Sequence, residues 1–268
     1  MLELSDAEIA CGSMTDATLA EAARRVREAG YVALDRAVPT EFVAELRTAF
    51  DRELTKARDA DPAALENSKG HYGVSPLLDA PFLNPLVIEN PFAMQVMRAT
   101  MGERIFSYLP YGCNTSWPGS GVQGLHRDTG HLFPELTTPL PMSLAVVNIP
   151  LVDFTEENGA TEAWPGSHLI VDPPDVASIS LEERVAHMPS VRLTAPVGSL
   201  IVRDLRCWHR GMPNRTQTIR TMTALVYFRA LHHLPDDANV FRSIPAAVTA
   251  KLSEEAQAMY RHHRIEAS

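Results

Sequence analysis

Two patterns of apolar positions divide the chain. In residues 15–29, Leu19, Ala22, Ala23 and Val26 recur at helical spacing. Asp16 and Glu21 come early in that run and Arg24, Arg25 and Arg27 late, the order that suits a helix dipole, and Gly30 supplies a stop. Residues 31–34 read as a short strand. Pro39-Thr40-Glu41 opens a second helix with Phe42, Val43, Leu46 and Phe50 on one face. Residues 60–90, rich in Pro, Asp, Asn and Gly, read as irregular, and a third helix is predicted over 91–101. From about residue 104 the period shortens. Strand-like runs at 104–108, 121–126, 142–149, 191–194, 199–203 and 221–229 alternate with turn clusters such as Glu157-Asn158-Gly159 and Pro213-Asn214. Many short strands at that spacing predict a sandwich or barrel. Residues 245–263 return to helix through Val248, Leu252, Ala256 and Tyr260. The expected fold is mainly β with flanking helices, in one domain over 1–268. Its parts are a helical segment at about 1–103, a β core at about 104–230 and a C-terminal helix at about 245–264.

Composition narrows the function. The 268 residues, 45% hydrophobic and 21% charged, suffice for a full core without disulfide or metal staples. A net charge of −9 disfavours a nucleic-acid backbone binder and a polybasic membrane anchor. The longest apolar stretch, 142–152, is interrupted by Ser143, Asn148 and Pro150 and falls far short of a spanning helix. The first ten residues are acidic where a signal peptide is basic, and the last five match no retention address. Cys11, Cys113 and Cys207 are odd in number and far apart, which fits a reducing compartment. A cytoplasmic protein with a small-molecule partner is expected.

Three elements carry candidate chemistry. In His126-Arg127-Asp128 the first and third residues share one face of a strand, setting an imidazole beside a carboxylate. The same tripeptide begins a protein-kinase catalytic loop, but that loop needs Asn where Phe133 stands, and the chain has no glycine-rich phosphate loop. His209 follows a β run and precedes a turn, so it can add a second imidazole. Two His and one carboxylate on one face leave positions open on an octahedral metal, the facial set of non-haem Fe(II) oxygenases. Arg220 lies eleven residues further on, past a turn that can return it to the same cavity. There its guanidinium would suit a dicarboxylate in bidentate geometry.

The order H-x-D, His, Arg resembles the Fe(II)- and 2-oxoglutarate-dependent dioxygenases, specifically the phytanoyl-CoA dioxygenase family. Asn158-Gly159 through Pro165-Gly166-Ser167-His168 is similar to that family's N-G…P-G-S-H segment, and Gly198-Ser199-Leu200-Ile201-Val202 to its strand before the distal His. The resemblance covers roughly residues 104–230. It implies a double-stranded β-helix, a cupin-like jelly-roll of two facing sheets. It implies Fe(II) held by His126, Asp128 and His209, with 2-oxoglutarate and O2 as cosubstrates. It assigns Arg220 to the far carboxylate of 2-oxoglutarate. In a subgroup oxidising fungal meroterpenoids and alkaloids, residues at the positions of Gln123 and Thr161 also contact the cosubstrate; strict alternation would put Gln123 on the face opposite His126 unless a bulge intervenes. The implied activity is hydroxylation, or another oxidation, of an unactivated C–H bond of a small organic molecule, with release of succinate and CO2. No basic cluster suited to CoA phosphates stands out, which favours a smaller or neutral substrate such as a secondary metabolite. A homodimer is compatible with the family.

One departure is Gly211, where many members carry Ser near the cosubstrate carboxylate. Asp128 occupies the position that related halogenases leave small, which disfavours halogenation. His168 is expected to be structural and His131 to line the cavity mouth. His232, His233, His262 and His263 are expected to be solvated. Trp208, Tyr111, Asn114, Met142 and Phe133 are candidates for the substrate wall, and Lys69, His71 and Tyr72 for a lid. The competing function is a non-catalytic cupin-like protein that binds a small molecule or a metal.

Overall fold

The computed structural model describes residues 1–172, 178–232 and 242–266. The strands are β1 (Leu2–Glu3), β2 (Tyr31–Asp35), β3 (Ile105–Ser107), β4 (Gly112–Ser116), β5 (Leu144–Asn148), β6 (Glu162–Ala163), β7 (Val191–Arg192), β8 (Leu200–Asp204), β9 (His209–Arg210), β10 (Arg220–Arg229), β11 (Ile244–Pro245) and β12 (Ile265–Glu266). Among the described residues the larger sheet runs β1-β2-β8-β5-β10-β3, with β4 also paired to β10. A three-stranded sheet, β7-β6-β9, lies across a cavity from it. The two sheets with flanking helices make the expected jelly-roll architecture, without a closed barrel.

The long strand β10 organises the larger sheet. Its first half, Arg220 to Ala224, pairs antiparallel with β4, and its second half with β5 and β3. β5 and β8 are buried along their whole lengths, as strands covered on both faces must be. The helix Asp16–Ala29 is capped by Thr15, whose hydroxyl accepts from the Thr18 amide, and stopped by Gly30 at φ 87°. The helix Pro91–Met101 begins with Pro91 behind the Asn90 cap and buries Phe92, Met94, Val96 and Met97. Both helices pack on the larger sheet and on each other, and with the Thr40–Ala60 helix they supply much of the main apolar core.

Several expectations change. The strand expected at 31–34 is β2; the unexpected part is β1, and together they extend the larger sheet through β8. Residues 60–90 hold two short helices, Pro62–Asn67 and Pro85–Ile88. The expected helix over 245–263 is two helices, Ala246–Thr249 and Glu254–Met259. Ser253 caps the second, its hydroxyl accepting from the Ala256 amide. The expected strand over 121–126 reduces to one bridge, His126 with His209. β4 is a strand the pattern conceals, since its residues (GCNTS) read as a turn. No described helix is long and apolar enough to cross a membrane.

Candidate active site

The cavity between the sheets, about 140 Å³, is lined by all six residues singled out above: Gln123, His126, Asp128, Thr161, His209 and Arg220. The segment 123–128 delivers Gln123, His126 and Asp128, and Thr161, His209 and Arg220 come from three other places in the chain. His126 and His209 face each other across the bridge, exchanging N–H···O bonds of 3.0 and 2.8 Å, and their rings lie 4.4 Å apart. Gln123 is also bonded to that strand, its N–H donating to Gly211 O at 2.9 Å. From Gln123 to His126 is three steps, yet from Gly211 back to His209 is two. This extra residue is the bulge that alternation required, and it returns Gln123 to the cavity side. Asp128 N–H donates to Leu205 O at 3.0 Å, which ties the carboxylate to the turn after β8.

The three donors converge. Asp128 Oδ1 lies 3.8 Å from His126 Nε2 and 3.7 Å from His209 Nε2, and all three ligand atoms fall within 4.8 Å of one another. Backbone carbonyls set both tautomers. His126 Nδ1 donates to Gly124 O at 2.9 Å and His209 Nδ1 to Cys207 O at 3.0 Å, so each Nε2 keeps its lone pair for the cavity. Burial, reinforced by the neighbouring Arg203, pushes the His209 pKa down to about 3, so the ring is neutral at neutral pH. Burial acts to raise the Asp128 carboxyl, but the Arg203 guanidinium, through its charge and its hydrogen bond, holds it below the usual carboxylate value. Two imidazoles with Nε2 turned to the cavity and one carboxylate form a donor set that fits a divalent transition metal.

Arg220 differs from every other buried cation nearby. It is 2% exposed, its Nε and Nη1 have no hydrogen-bond partner, and no carboxylate among the described residues pairs with it. Burial, and to a lesser degree Arg192, lowers its pKa to about 10, which leaves it charged. Its guanidinium sits 4.9 Å from the centre of the Phe154 ring. A buried cation with open donors is costly to maintain unless an anion completes it. The cavity therefore offers a metal donor set and an unpaired cation to one ligand. Thr161, buried in the approach to β6, lines the same space.

The rest of the lining departs from the proposed wall. Asn114 is there, but Tyr111, Met142 and Trp208 are buried core, and Phe133 is exposed on the loop after Asp128. His71 lines the cavity instead of a lid, with its nitrogens 3.2 Å from Thr115 O and 2.7 Å from Gly121 O. Lys69 faces a separate groove, and Tyr72 packs on the core. His131 contacts Ile170 O and Arg206, and His168 is a buried structural residue whose Nε2 meets Arg27 O. His263 is buried, not solvated; its Nε2 accepts from the Leu109 N–H and its Nδ1 donates to Arg242 O. His262 is solvent-facing yet stacks edge-on against Phe106; His232 is half-buried against Phe228; His233 lies outside the described residues. Arg203, Phe154 and Met222 went unnoticed in the sequence, although Arg203 and Met222 each lie on a strand face that also carries a lining residue, Ile201 and Arg220 respectively.

The chain shares this architecture with known proteins. It is similar to AviO1 from Streptomyces viridochromogenes, at 20% identity and a TM-score of 0.60, covering 80% of this chain and 96% of that one. It is also similar to the non-heme alpha ketoglutarate dependent epimerase SnoN from nogalamycin biosynthesis, at 22% identity and a TM-score of 0.59, covering 81% and 82%. Among curated proteins it is 30% identical over 166 residues to the dioxygenase af480 of Aspergillus fumigatus, covering 60% of this chain and 48% of that protein. It is 34% identical over 111 residues to the dioxygenase trt7 of Aspergillus terreus, covering 38% and 34%. The chain thus spans about half the length, or less, of the curated relatives it matches. The model of the phytanoyl-CoA dioxygenase family matches residues 26–222, and the chain belongs to that family.

Proposed function

We propose that this chain is an Fe(II)- and 2-oxoglutarate-dependent oxygenase that oxidises an unactivated C–H bond of a small organic molecule. The observation that carries the reading is one cavity holding a convergent His-Asp-His set and a buried, unpaired Arg220. His126, Asp128 and His209 would hold the metal, and Arg220 would pair with the far carboxylate of 2-oxoglutarate. Gln123 supports this role through a fixed amide orientation: its Oε1 accepts from the Gly211 N–H at 2.8 Å, which leaves its NH2 to donate elsewhere. Thr161 would add a hydroxyl. Bound iron supplies the activation of O2 that is coupled to conversion of 2-oxoglutarate into succinate and CO2. The chain's own part is to orient the cosubstrate between two fixed charges in a largely enclosed space and, by burial, to keep the His209 imidazole unprotonated. The likeness to SnoN, named for nogalamycin biosynthesis, and the kinship with fungal dioxygenases support a substrate from secondary metabolism.

The test is anaerobic titration with Fe(II) and then 2-oxoglutarate, watching for the weak visible charge-transfer band, followed by oxygen and a succinate assay. The reading expects a band and slow succinate release without added substrate, both lost in Asp128→Ala. Folded, metal-competent protein with neither band nor succinate would favour the non-catalytic binding protein.

A further inference from the structure

We propose that Arg203 is a positioning residue that confines Asp128 to a single ligating oxygen and so keeps one metal position free for the cosubstrate. The proposal rests on the metal-site reading above. A carboxylate can ligate through one oxygen or two, and the second mode consumes a position that a chelating keto acid or O2 would need. The two oxygens of Asp128 have separate partners. Oδ1 faces both His Nε2 atoms, at 3.7 and 3.8 Å. Oδ2 accepts a charge-assisted bond of 2.8 Å from Arg203 Nη2.

Arg203 is built to hold that oxygen. It lies on β8, whose backbone is paired on both sides, with Tyr31 of β2 and Val146 of β5. It is 5% exposed, so the guanidinium end of the bond is buried, while the Asp128 side chain is 34% exposed toward the cavity. Its other terminal nitrogen, Nη1, lies 3.2 Å from His209 Nδ1, a contact without a hydrogen bond because that nitrogen donates to Cys207 O. The acid next in sequence does not compete. Asp204 is closed by Arg206, which donates from Nε and Nη2 to its two oxygens at 3.0 and 2.7 Å. Arg203 is therefore left to Asp128. The Asp128 amide is bound to Leu205 O in the same turn, so backbone and side chain are registered to one short segment.

The experiment loads wild type, Arg203→Met, Arg203→Lys and His126→Ala with Co(II), whose visible spectrum reports coordination number. 2-Oxoglutarate is then titrated without turnover. Arg203→Met is expected to shift the Co(II) spectrum toward higher coordination and to weaken 2-oxoglutarate binding about tenfold or more. Arg203→Lys, which returns a cation to Oδ2, is expected to recover much of both. X-ray absorption or a crystal structure of the wild-type Co(II) form, which needs no variant to fold, is expected to show Oδ1 alone on the metal. Two-oxygen ligation in wild type, or a folded Arg203→Met protein with the wild-type spectrum and affinity, overturns the proposal and leaves the oxygenase reading intact. A wild type that takes up Co(II) no better than His126→Ala overturns both.

Discussion

Gly211 and Gln123 hold each other at two points, the Gln123 amide on Gly211 O at 2.9 Å and the Gly211 amide on Gln123 Oε1 at 2.8 Å. The contact is close enough to exclude any side chain at 211. A Cβ there would stand 2.4 Å from Gln123 Oε1 and 2.7 Å from His71 Cε1. The serine that many relatives carry is thus replaced by volume already filled with Gln123 and His71. Gly211→Ser is expected to destabilise the protein by about 1–3 kcal/mol through overpacking. It should also weaken 2-oxoglutarate binding by dislodging the Gln123 amide. Thermal denaturation and an anaerobic titration check the two effects, and Gly211→Ser together with Gln123→Ala should recover part of the stability, the His71 contact remaining, without recovering affinity.

Arg220 gives a prediction of opposite signs. Because Nε and Nη1 are buried without partners, the ligand-free protein bears the cost of an uncompensated charge. Arg220→Met keeps much of the volume and removes that charge. It is expected to leave ligand-free stability equal to or above wild type. Its 2-oxoglutarate affinity should fall about a hundredfold, about 2.7 kcal/mol. With divalent metal already present, wild type should gain further thermal stability on adding 2-oxoglutarate, and the variant should gain little. A variant markedly less stable than wild type in the absence of ligand would mean that Arg220 is a structural residue.

The site was more legible in the sequence than the surrounding fold, for physical reasons. His126 and Asp128 sit two apart, and His209 follows a clear β run, so both signals are local. The bulge that admits Gln123 is not local, since it depends on a register with Gly211 far along the chain. β4 escaped because Gly112, Asn114 and Ser116 are turn formers. Its strand state comes from pairing with β10 and from bonds to residues 70–74, among them Cys113 N–H to Val74 O at 3.2 Å. The helix Pro91–Met101 was readable to the residue because Asn90, Pro91 and Gly102 mark both ends. The C-terminal split was not read, although Ser253 followed by two acids is a cap signal. Trp208 looked like a substrate wall by its neighbourhood to His209. Its ring instead turns into a cluster with Leu125 and Trp164, beneath the guanidinium of Arg184.

Thiol chemistry should single out one cysteine. Cys11 is exposed, whereas Cys113 and Cys207 are buried and burial pushes each thiol up to about 11. At neutral pH a thiol-directed alkylating reagent is expected to label native protein once, at Cys11, and Cys11→Ser is expected to abolish that fast labelling. Mass spectrometry of the intact protein before and after denaturation checks the count. Rapid modification of Cys207 in native protein would mean that the segment leading to His209 opens readily.

Acid should destabilise the protein partly through His263. Its two ring nitrogens are committed in one neutral tautomer, accepting from Leu109 N–H and donating to Arg242 O, each at 2.6 Å. Burial lowers its pKa, and the bond to Arg242 O opposes this only in part. The sign follows from linkage. Below about pH 6.5 the unfolded chain takes a proton on this residue that the folded chain refuses, so stability is full above that pH and falls as the pH drops. One such group can contribute at most about 1.4 kcal/mol per pH unit. His263→Gln preserves one acceptor and one donor but cannot titrate. It is expected to fold at pH 7.5 with near wild-type stability and to show a shallower loss between pH 6.5 and 5. Equal slopes for the two proteins, measured by urea denaturation across that range, would place the acid sensitivity in other buried histidines such as His168, whose pKa burial also lowers.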